Sequence, residues 1–275
     1  MMKRKFLLFF ICLLSVFKSL LFSQGGWKEA ENANSYQYLY IGVGNFYNPR
    51  RTVYIRLGQE QFIFHTYDQY TPTMIFLRAE IRYDGENWQV ICKNGRYVAT
   101  PPVTPPWTQT GQYEMDLKIW DEAGNIKVHT FPVIVIPPAN KRYVDDNGNS
   151  MLLWSSEENL LDFPFILVAG FDPDIFNSSD HEFYYFVGKE LIDKIHSVGG
   201  DVLIYDYADG AIDIAENAQY VKNAVNYINS IKIGNTRIIL GGVSMGGVVC
   251  RYALAEAEAQ GNPLNVSHFV SLDSP

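Results

Sequence analysis

The sequence predicts two units in series: an all-β sandwich, then an α/β unit on a doubly wound, mostly parallel sheet. Three observations carry this. From Trp27 to about Pro138 the chain is a succession of short β-branched and aromatic runs, often alternating with polar residues and divided by Gly, Pro, Asn and Asp. A passage rich in Pro, Asn and Asp follows. From Phe163 onward strand-like and helix-like stretches alternate four times, and the strand-like ones are nearly continuous apolar runs, as strands buried on both faces must be. A chain of 275 residues with 47% hydrophobic content accommodates two such units.

The first residues, "MMKRKFLLFFICLLSVFKSLLFSQGG", have a basic start, an apolar core from Phe6 to Phe17 and small or polar residues at Ser23 to Gly26. That is the layout of a secretory signal over residues 1–23, cut near Ser23. A retained anchor is the alternative, with Lys18 interrupting a run that is short for a bilayer span. Either way the expected location is secreted, periplasmic or at the cell surface. The formal charge is −8. Without Lys3, Arg4, Lys5 and Lys18 the remainder stands at about −12, which disfavours nucleic acid as a partner. Cys12 falls in the leader, and Cys92 and Cys250 fall in different units, so no disulfide framework is expected and each of the latter reads as a small buried apolar residue. Asn177 and Asn265 fit the glycosylation acceptor pattern.

In the first unit, residues 27–137, about seven strands are expected in runs such as "YQYLYIGVG", "RTVYIRL", "QFIFHTY", "TMIFLRAEIRY" and "YEMDLKIW", with hairpin signals at Asp84-Gly85 and at "DEAGN", Asp121 to Asn125. This spacing suggests an antiparallel sandwich of the immunoglobulin or fibronectin type. Gly111 two residues before Tyr113, at the start of a late strand, resembles the tyrosine corner of such sandwiches. The aromatic residues are read as core and surface filler rather than a sugar-binding strip. Residues 138–162 are expected to be a linker, with a small hairpin turning at Asp146 to Asn149 as the alternative.

In the second unit, 163–275, "FPFILVAG" reads as a strand. A helical pattern ending at Gly199-Gly200 follows, then strand "DVLIYDY", helix "DIAENAQYVKNAVNYINSI", strand "TRIILGG", helix "GGVVCRYALAEAEAQG" and strand "VSHFVSLD". Within this pattern Ser244 falls directly after the strand at Arg237 to Leu240 and before the helix at Gly247 to Ala259, at the carboxyl end of a central strand, where open parallel sheets hold ligands. So sharp a turn needs missing side chains. Gly242 and Gly246 supply them as G-x-S-x-G, with Gly241 and Gly247 as further relief, so that the hydroxyl can project above the sheet into the field of a helix N-terminus. An alkoxide or an acyl oxyanion is stabilised at such a point. A nucleotide-binding domain competes for this pattern, but no G-x-G-x-x-G follows the first strand and no G-x-x-x-x-G-K occurs.

"GVSMGGVVCRYAL" resembles the nucleophile elbow of the α/β-hydrolases, lipases and esterases among them, and the motif order is similar from Phe163 to Pro275. "ILVAGFDP" sits where the family carries its His-Gly-x oxyanion loop, and "VSLDSP" looks like the strand after the elbow helix. Ala169 stands where many members have His, and so does Val243 beside the serine. The resemblance implies Ser244 as nucleophile and oxyanion donors at the amides of Met245 and of Phe171 or its neighbour Gly170. Asp273 is a candidate acid, matching the placement in pancreatic-type lipases, with a structural role in the strand turn as its alternative. Asp172, Asp174, Asp206 and Asp209 fall on loops at the same edge.

The family order requires a histidine after the serine. The one histidine there, His268, begins a strand and so belongs at the opposite edge of the sheet. His65 and His129 fall in the sandwich, His196 at the far end of the first helix, and His181 close to the oxyanion loop but before the serine. The catalytic base is therefore expected beyond Pro275, the sequence being read as a C-terminally incomplete record that is inactive alone. The expected function is a secreted serine hydrolase of lipid-type carboxylic esters acting through an acyl-enzyme, a substrate class implied by similarity to triacylglycerol lipases and GPI inositol deacylases, with association at a membrane or cell surface. The alternative is a non-catalytic surface-binding or adhesion protein with a degenerate hydrolase half. With no metal-ligand cluster or phosphate loop in the sequence, no cofactor is expected.

Overall fold

The computed structural model describes residues 26–31, 35–40, 52–66, 74–157, 160–171 and 190–274. The expected leader, Asn177 and much of the stretch expected to form the first helix of the α/β unit lie outside the described residues, as do Asp172, Asp174 and His181. The described residues fall into two compact units, one of residues 35–139 and one that joins 26–31 to 140–274.

The first unit is all-β. Its strands are β2 (Ser35–Tyr40), β3 (Val53–Arg56), β4 (Glu60–His65), β5 (Phe76–Tyr83), β6 (Gln89–Tyr97), β7 (Gly111–Asp121) and β8 (Ile126–Ile136). Five of them form a sheet in the order β3-β8-β7-β5-β6, and β2 pairs with β4. Asp84-Gly85, with φ of 48° and 77°, closes the β5–β6 hairpin, and Asp121 closes β7–β8 by accepting from the Asn125 amide at 2.7 Å. Two pairings depart from the expected antiparallel pattern, since β3 with β8 and β2 with β4 are parallel. Only a tight hairpin forces antiparallel pairing, and none joins either pair. Phe62, Phe64, Phe76, Met115, Leu117 and Ile119, each wholly shielded from solvent, make the core. Tyr113 Oη donates to the Gln109 carbonyl at 3.1 Å, four residues upstream.

The second unit carries a sheet of β1 (Lys28–Ala30), β9 (Lys141–Val144), β10 (Ser150–Trp154), β11 (Pro164–Val168), β12 (Asp201–Asp206), β13 (Ile238–Val243) and β14 (Val266–Leu272), in the order β1-β9-β10-β12-β11-β13-β14. β12, β11, β13 and β14 are parallel, and β10, β9 and β1 add to that block antiparallel. Residues 190–196 form a helix, α1, and the turn after it ends at Gly199 with φ 79°. α2 (Ile214–Ile231) and α3 (Met245–Ala259) follow. α2 starts where the Asp213 side chain accepts from the Ala215 amide at 2.7 Å, and it buries Ala218, Val221, Ala224, Val225 and Ile228 at helical spacing. The crossovers from β12 to β13 and from β13 to β14 run in the same direction, so right-handed connection puts α2 and α3 on one face. There Lys222 of α2 pairs with Glu256 of α3.

The sequence boundaries need two corrections. Residues 138–162 are not simply a linker: they contain β9 and β10, a hairpin closed at 145–149 as the alternative reading had it, and that hairpin covers the β12 edge of the parallel block. The driving force is burial, since Met151, Leu152, Leu153 and Trp154 are all buried and an uncovered β12 would present an unpaired apolar edge. Trp27 and the β1 that follows it belong to this unit rather than to the first. Trp27 is buried and stacks on Tyr227 of α2 with ring centroids 6.1 Å apart. Cys92 and Cys250 are both buried and free.

Candidate active site at the carboxyl edge of the parallel sheet

After β11 the chain moves to β12 on one side of it, and then returns to β13 on the other. The carboxyl ends of β11 and β13 are therefore the point where the winding reverses, and a crevice opens there in sheets of this kind. Ser244 follows β13 at that point.

The local backbone explains the glycines around it. Ser244 has φ 49° and ψ −121°, a conformation that L side chains avoid and that surrounding contacts must impose. A Cβ on Gly242 would fall on the carbonyl of Gly246, and a Cβ on Gly246 would fall on the carbonyls of Val168 and Ala169 at the end of β11. The elbow thus closes backbone on backbone, at a separation no other residue permits. The Ser244 amide donates to the Leu272 carbonyl at 2.9 Å, tying the turn to β14, and the Gly247 amide donates to the Ser244 carbonyl at 3.0 Å, beginning α3. The Ser244 side chain is exposed and makes no capping hydrogen bond, so its hydroxyl is not consumed by the helix it precedes. Met245 and Gly246 open α3, where helical geometry leaves amides without intrahelical acceptors and with the positive end of the dipole.

The loop after β11 comes to the same place. A Cβ built on Gly170 would lie 3.4 Å from the Ser244 Cβ. The Ala169 amide is engaged, donating to the Tyr205 carbonyl at 3.1 Å, whereas Phe171 is exposed with 59% of its surface accessible. Behind the elbow the Cys250 thiol, wholly buried, donates to the Gly241 carbonyl at 3.5 Å, and burial pushes its pKa far up, so it stays a neutral packing group.

Asp273 follows β14 at this edge, one residue beyond the carbonyl that holds the Ser244 amide, with φ 45° and an exposed side chain. Asp206 ends β12 at the edge, and Asp209 turns on itself by accepting from the Ala211 amide at 2.8 Å. The other candidates stand apart. His268 pairs with Ile239 near the start of β13, four residues of strand before Val243, which is about 13 Å along the sheet. His196 Nε2 lies 3.0 Å from the Trp154 carbonyl, and Trp154 pairs with Val202 near the amino end of β12. His65 and His129 are in β4 and β8 of the first unit. Among the described residues, none of these histidines reaches the serine, and no group of three His, Cys, Asp or Glu could hold a metal ion.

Two features of this edge had not been read from the sequence. The Asp145 carboxylate, almost fully buried, accepts from the amides of Asn147 and Asn149 at 2.9 Å each, and Asn149 Oδ1 accepts from the Ala208 amide at 2.9 Å. The β9–β10 turn therefore fixes the loop that leaves β12. The string "DDNGN" signals a turn, but its grip on Ala208 is a tertiary contact. Ser271 and Ser274 press on Gly247 of α3, and a Cβ there would meet Ser271 Oγ at 3.0 Å.

No family model matches the chain, and no curated protein does. Among solved structures it is similar to an α/β-hydrolase superfamily protein from Enterococcus faecalis, at 16% identity and TM-score 0.37 over 48% of this chain and 46% of that one. It is also similar to Est1E from Butyrivibrio proteoclasticus, at 17% identity and TM-score 0.30 over 42% and 43%, and to an esterase from Pyrobaculum calidifontis, at 15% and 0.34 over 44% and 39%. The chain spans less than half the length of each of these three proteins.

Proposed function

We propose that the chain carries the nucleophile and oxyanion cradle of a serine hydrolase of carboxylic esters. The single observation behind this reading is an exposed serine held at φ 49° on a glycine-closed turn, at the helix N-terminus where a parallel sheet reverses its winding. Strained backbone persists only where its surroundings impose it and clusters at active sites, and an uncapped hydroxyl above the sheet fits that use.

In this reading Ser244 Oγ attacks the ester carbonyl carbon and passes its proton to a base outside the described residues. The carbonyl oxygen, now an oxyanion, accepts from the amides of Met245 and of Phe171 or Gly170. Collapse expels the alcohol, which takes up the proton, and water then releases the acyl group as a carboxylic acid. Asp273 is the proposed orienting acid, and the exposed Phe171 ring offers apolar surface to a lipid-type acyl chain. Export through the leader at 1–23, action at a cell or membrane surface, and an immunoglobulin-like or fibronectin-like role for the first unit belong to the same proposal. No helix of the described residues is long and apolar enough to cross a membrane.

A second reading, a surface-binding or adhesion protein with a degenerate hydrolase half, is favoured by the lack of a histidine beside Ser244 among the described residues. One experiment separates the two. The full-length protein, which in the first reading supplies the base, is treated with a fluorophosphonate probe beside its Ser244→Ala variant: serine-dependent labelling supports the hydrolase, and equal signal from both proteins supports the second reading.

A further inference from the structure

The sequence contains two Asn-Gly pairs, Asn94-Gly95 and Asn147-Gly148, and the fold treats them differently. In such a pair the main-chain nitrogen of the glycine can attack the asparagine side-chain carbonyl, because no Cβ on the glycine crowds the approach. Whether it does so depends on how easily the two groups reach reacting geometry.

Asn147-Gly148 is held from several sides. The Gly148 amide donates to the Asp145 carbonyl at 3.3 Å, and the Asn147 amide donates to the Asp145 carboxylate at 2.9 Å. Asn147 Nδ2 donates to the same carboxylate at 3.5 Å, and Asn149 beyond it is tied to Asp145 and to the Ala208 amide. Ring closure here would have to break the β9–β10 turn.

Asn94-Gly95 lies in β6, the last strand of the five-stranded sheet. Against β5 the register passes from Lys93 on Arg78 to Tyr97 on Phe76, so Asn94, Gly95 and Arg96 bulge past the single residue Leu77. Asn94 sits at φ 60°, exposed, and its side chain takes part in no hydrogen bond among the described residues. The glycine after it is required by packing. A Cβ on Gly95 would come within 2.7 Å of the Tyr97 ring, which is stacked on Phe76 and donates its hydroxyl to the Lys93 carbonyl at 2.9 Å. The fold thus demands the unhindered nitrogen and leaves the asparagine beside it unrestrained.

We propose that Asn94 is a self-modification site, converted without an enzyme to aspartate and isoaspartate while Asn147 is protected by its turn. The Gly95 nitrogen bonds to Asn94 Cγ and the Cγ–Nδ2 bond breaks. Ammonia leaves, carrying the proton that the Gly95 nitrogen gives up. Water then opens the cyclic imide: cleavage of the new bond gives aspartate, and cleavage of the original peptide bond gives isoaspartate, with no oxidant or reductant involved. Either product sets a carboxylate between Lys93 and Arg96. Isoaspartate also lengthens the main chain that Tyr97 straps to Lys93. The site is in the first unit and does not depend on the hydrolase reading.

The test incubates the full chain in warm, mildly alkaline buffer, folded and in denaturant, and follows both asparagines by peptide mass spectrometry, with isoaspartyl methyltransferase marking isoaspartate. In the folded protein Asn94 should convert at least about tenfold faster than Asn147, and in denaturant the two rates should converge, since only the fold separates them. The acidic form should be absent from Asn94→Gly, a variant that suits φ 60° and so keeps the fold. No conversion at Asn94, or conversion no faster than at Asn147, overturns the proposal. The same ratio of rates in denaturant also overturns it, because local sequence rather than the fold would then set the difference.

Discussion

Gly170 and Ser244 come from different strands, yet a Cβ on Gly170 would rest 3.4 Å from the Ser244 Cβ, an ordinary contact and not a clash. The position therefore tolerates a methyl group while having no room to spare. Gly170→Ala should fold with stability within about 1 kcal/mol of the parent, because the contact is at van der Waals distance. The added methyl would still stand beside the nucleophile, where misplacement of the reacting group by an ångström costs rate steeply. Fluorophosphonate labelling of Ser244 should slow about tenfold in a variant whose thermal unfolding is unchanged. Labelling at the parental rate would remove the loop after β11 from the proposed cradle.

Gly246→Ala should behave differently. Its Cβ would fall on the carbonyls of Val168 and Ala169, main-chain atoms of a central strand that cannot rotate aside. A destabilisation of about 2–4 kcal/mol is expected, at the upper end for overpacking because backbone must move. Chemical denaturation measures it. Gly242→Ala, aimed at the Gly246 carbonyl, should cost a similar amount, and the pair should be less than additive because both relieve the same closed turn.

Asp201 anchors the amino edge of the same sheet. It is fully buried at the first residue of β12, where its carboxylate accepts from the amides of Ser156 at 3.0 Å, Asp162 at 2.9 Å and Phe163 at 3.1 Å. Three amides of the passage into β11 depend on one side chain. Asp201→Ala strands them and should lower unfolding free energy by about 3 kcal/mol, whereas Asp201→Asn, which keeps one acceptor oxygen, should lose less. Equal losses would mean that the negative charge, which both variants remove, carries the effect, and a harmless Asn variant would mean that one acceptor oxygen and the volume suffice.

These relationships mark how far the sequence could be read. The nearly continuous apolar runs of β11, β12 and β13 and the glycine pairs around Ser244 are local signals, and a sharp strand-to-helix turn has few other spellings, whereas β14 mixes Ser267, His268 and Ser271 into its run and is mostly exposed. The edge strands are another matter. Lys28–Ala30 and Lys141–Val144 are three and four residues long, too short for a period to declare itself, and they become strands only by pairing with each other and with β10. The parallel pairing of β3 with β8 joins segments about 80 residues apart that no turn chemistry connects. The hold of the Asn149 side chain on the Ala208 amide and the ring contact of Tyr143 with Tyr227 are made across the fold, so no local pattern announces them.

The first unit carries its own pH dependence. Burial lowers the pKa of His129 below its usual 6.5, and the Lys127 charge adds to the effect, while burial alone lowers His65. Both rings are therefore neutral in the folded protein, and the unfolded chain takes up protons first as the pH falls. Stability should be full above about pH 6.5 and should decline through the window below it, down to the folded pKa values, because there the unfolded state binds more protons. His129→Phe removes one of the two groups and keeps a ring stacked near Phe131, whose centroid lies 6.4 Å from that of His129. The decline in unfolding temperature between about pH 6.5 and 5 should be shallower in the variant than in the parent, a difference that a set of thermal melts in matched buffers resolves. Parallel curves for the two proteins would mean that His129 carries the same proton in both states, and the acid sensitivity of the unit would then fall to His65 and the carboxylates.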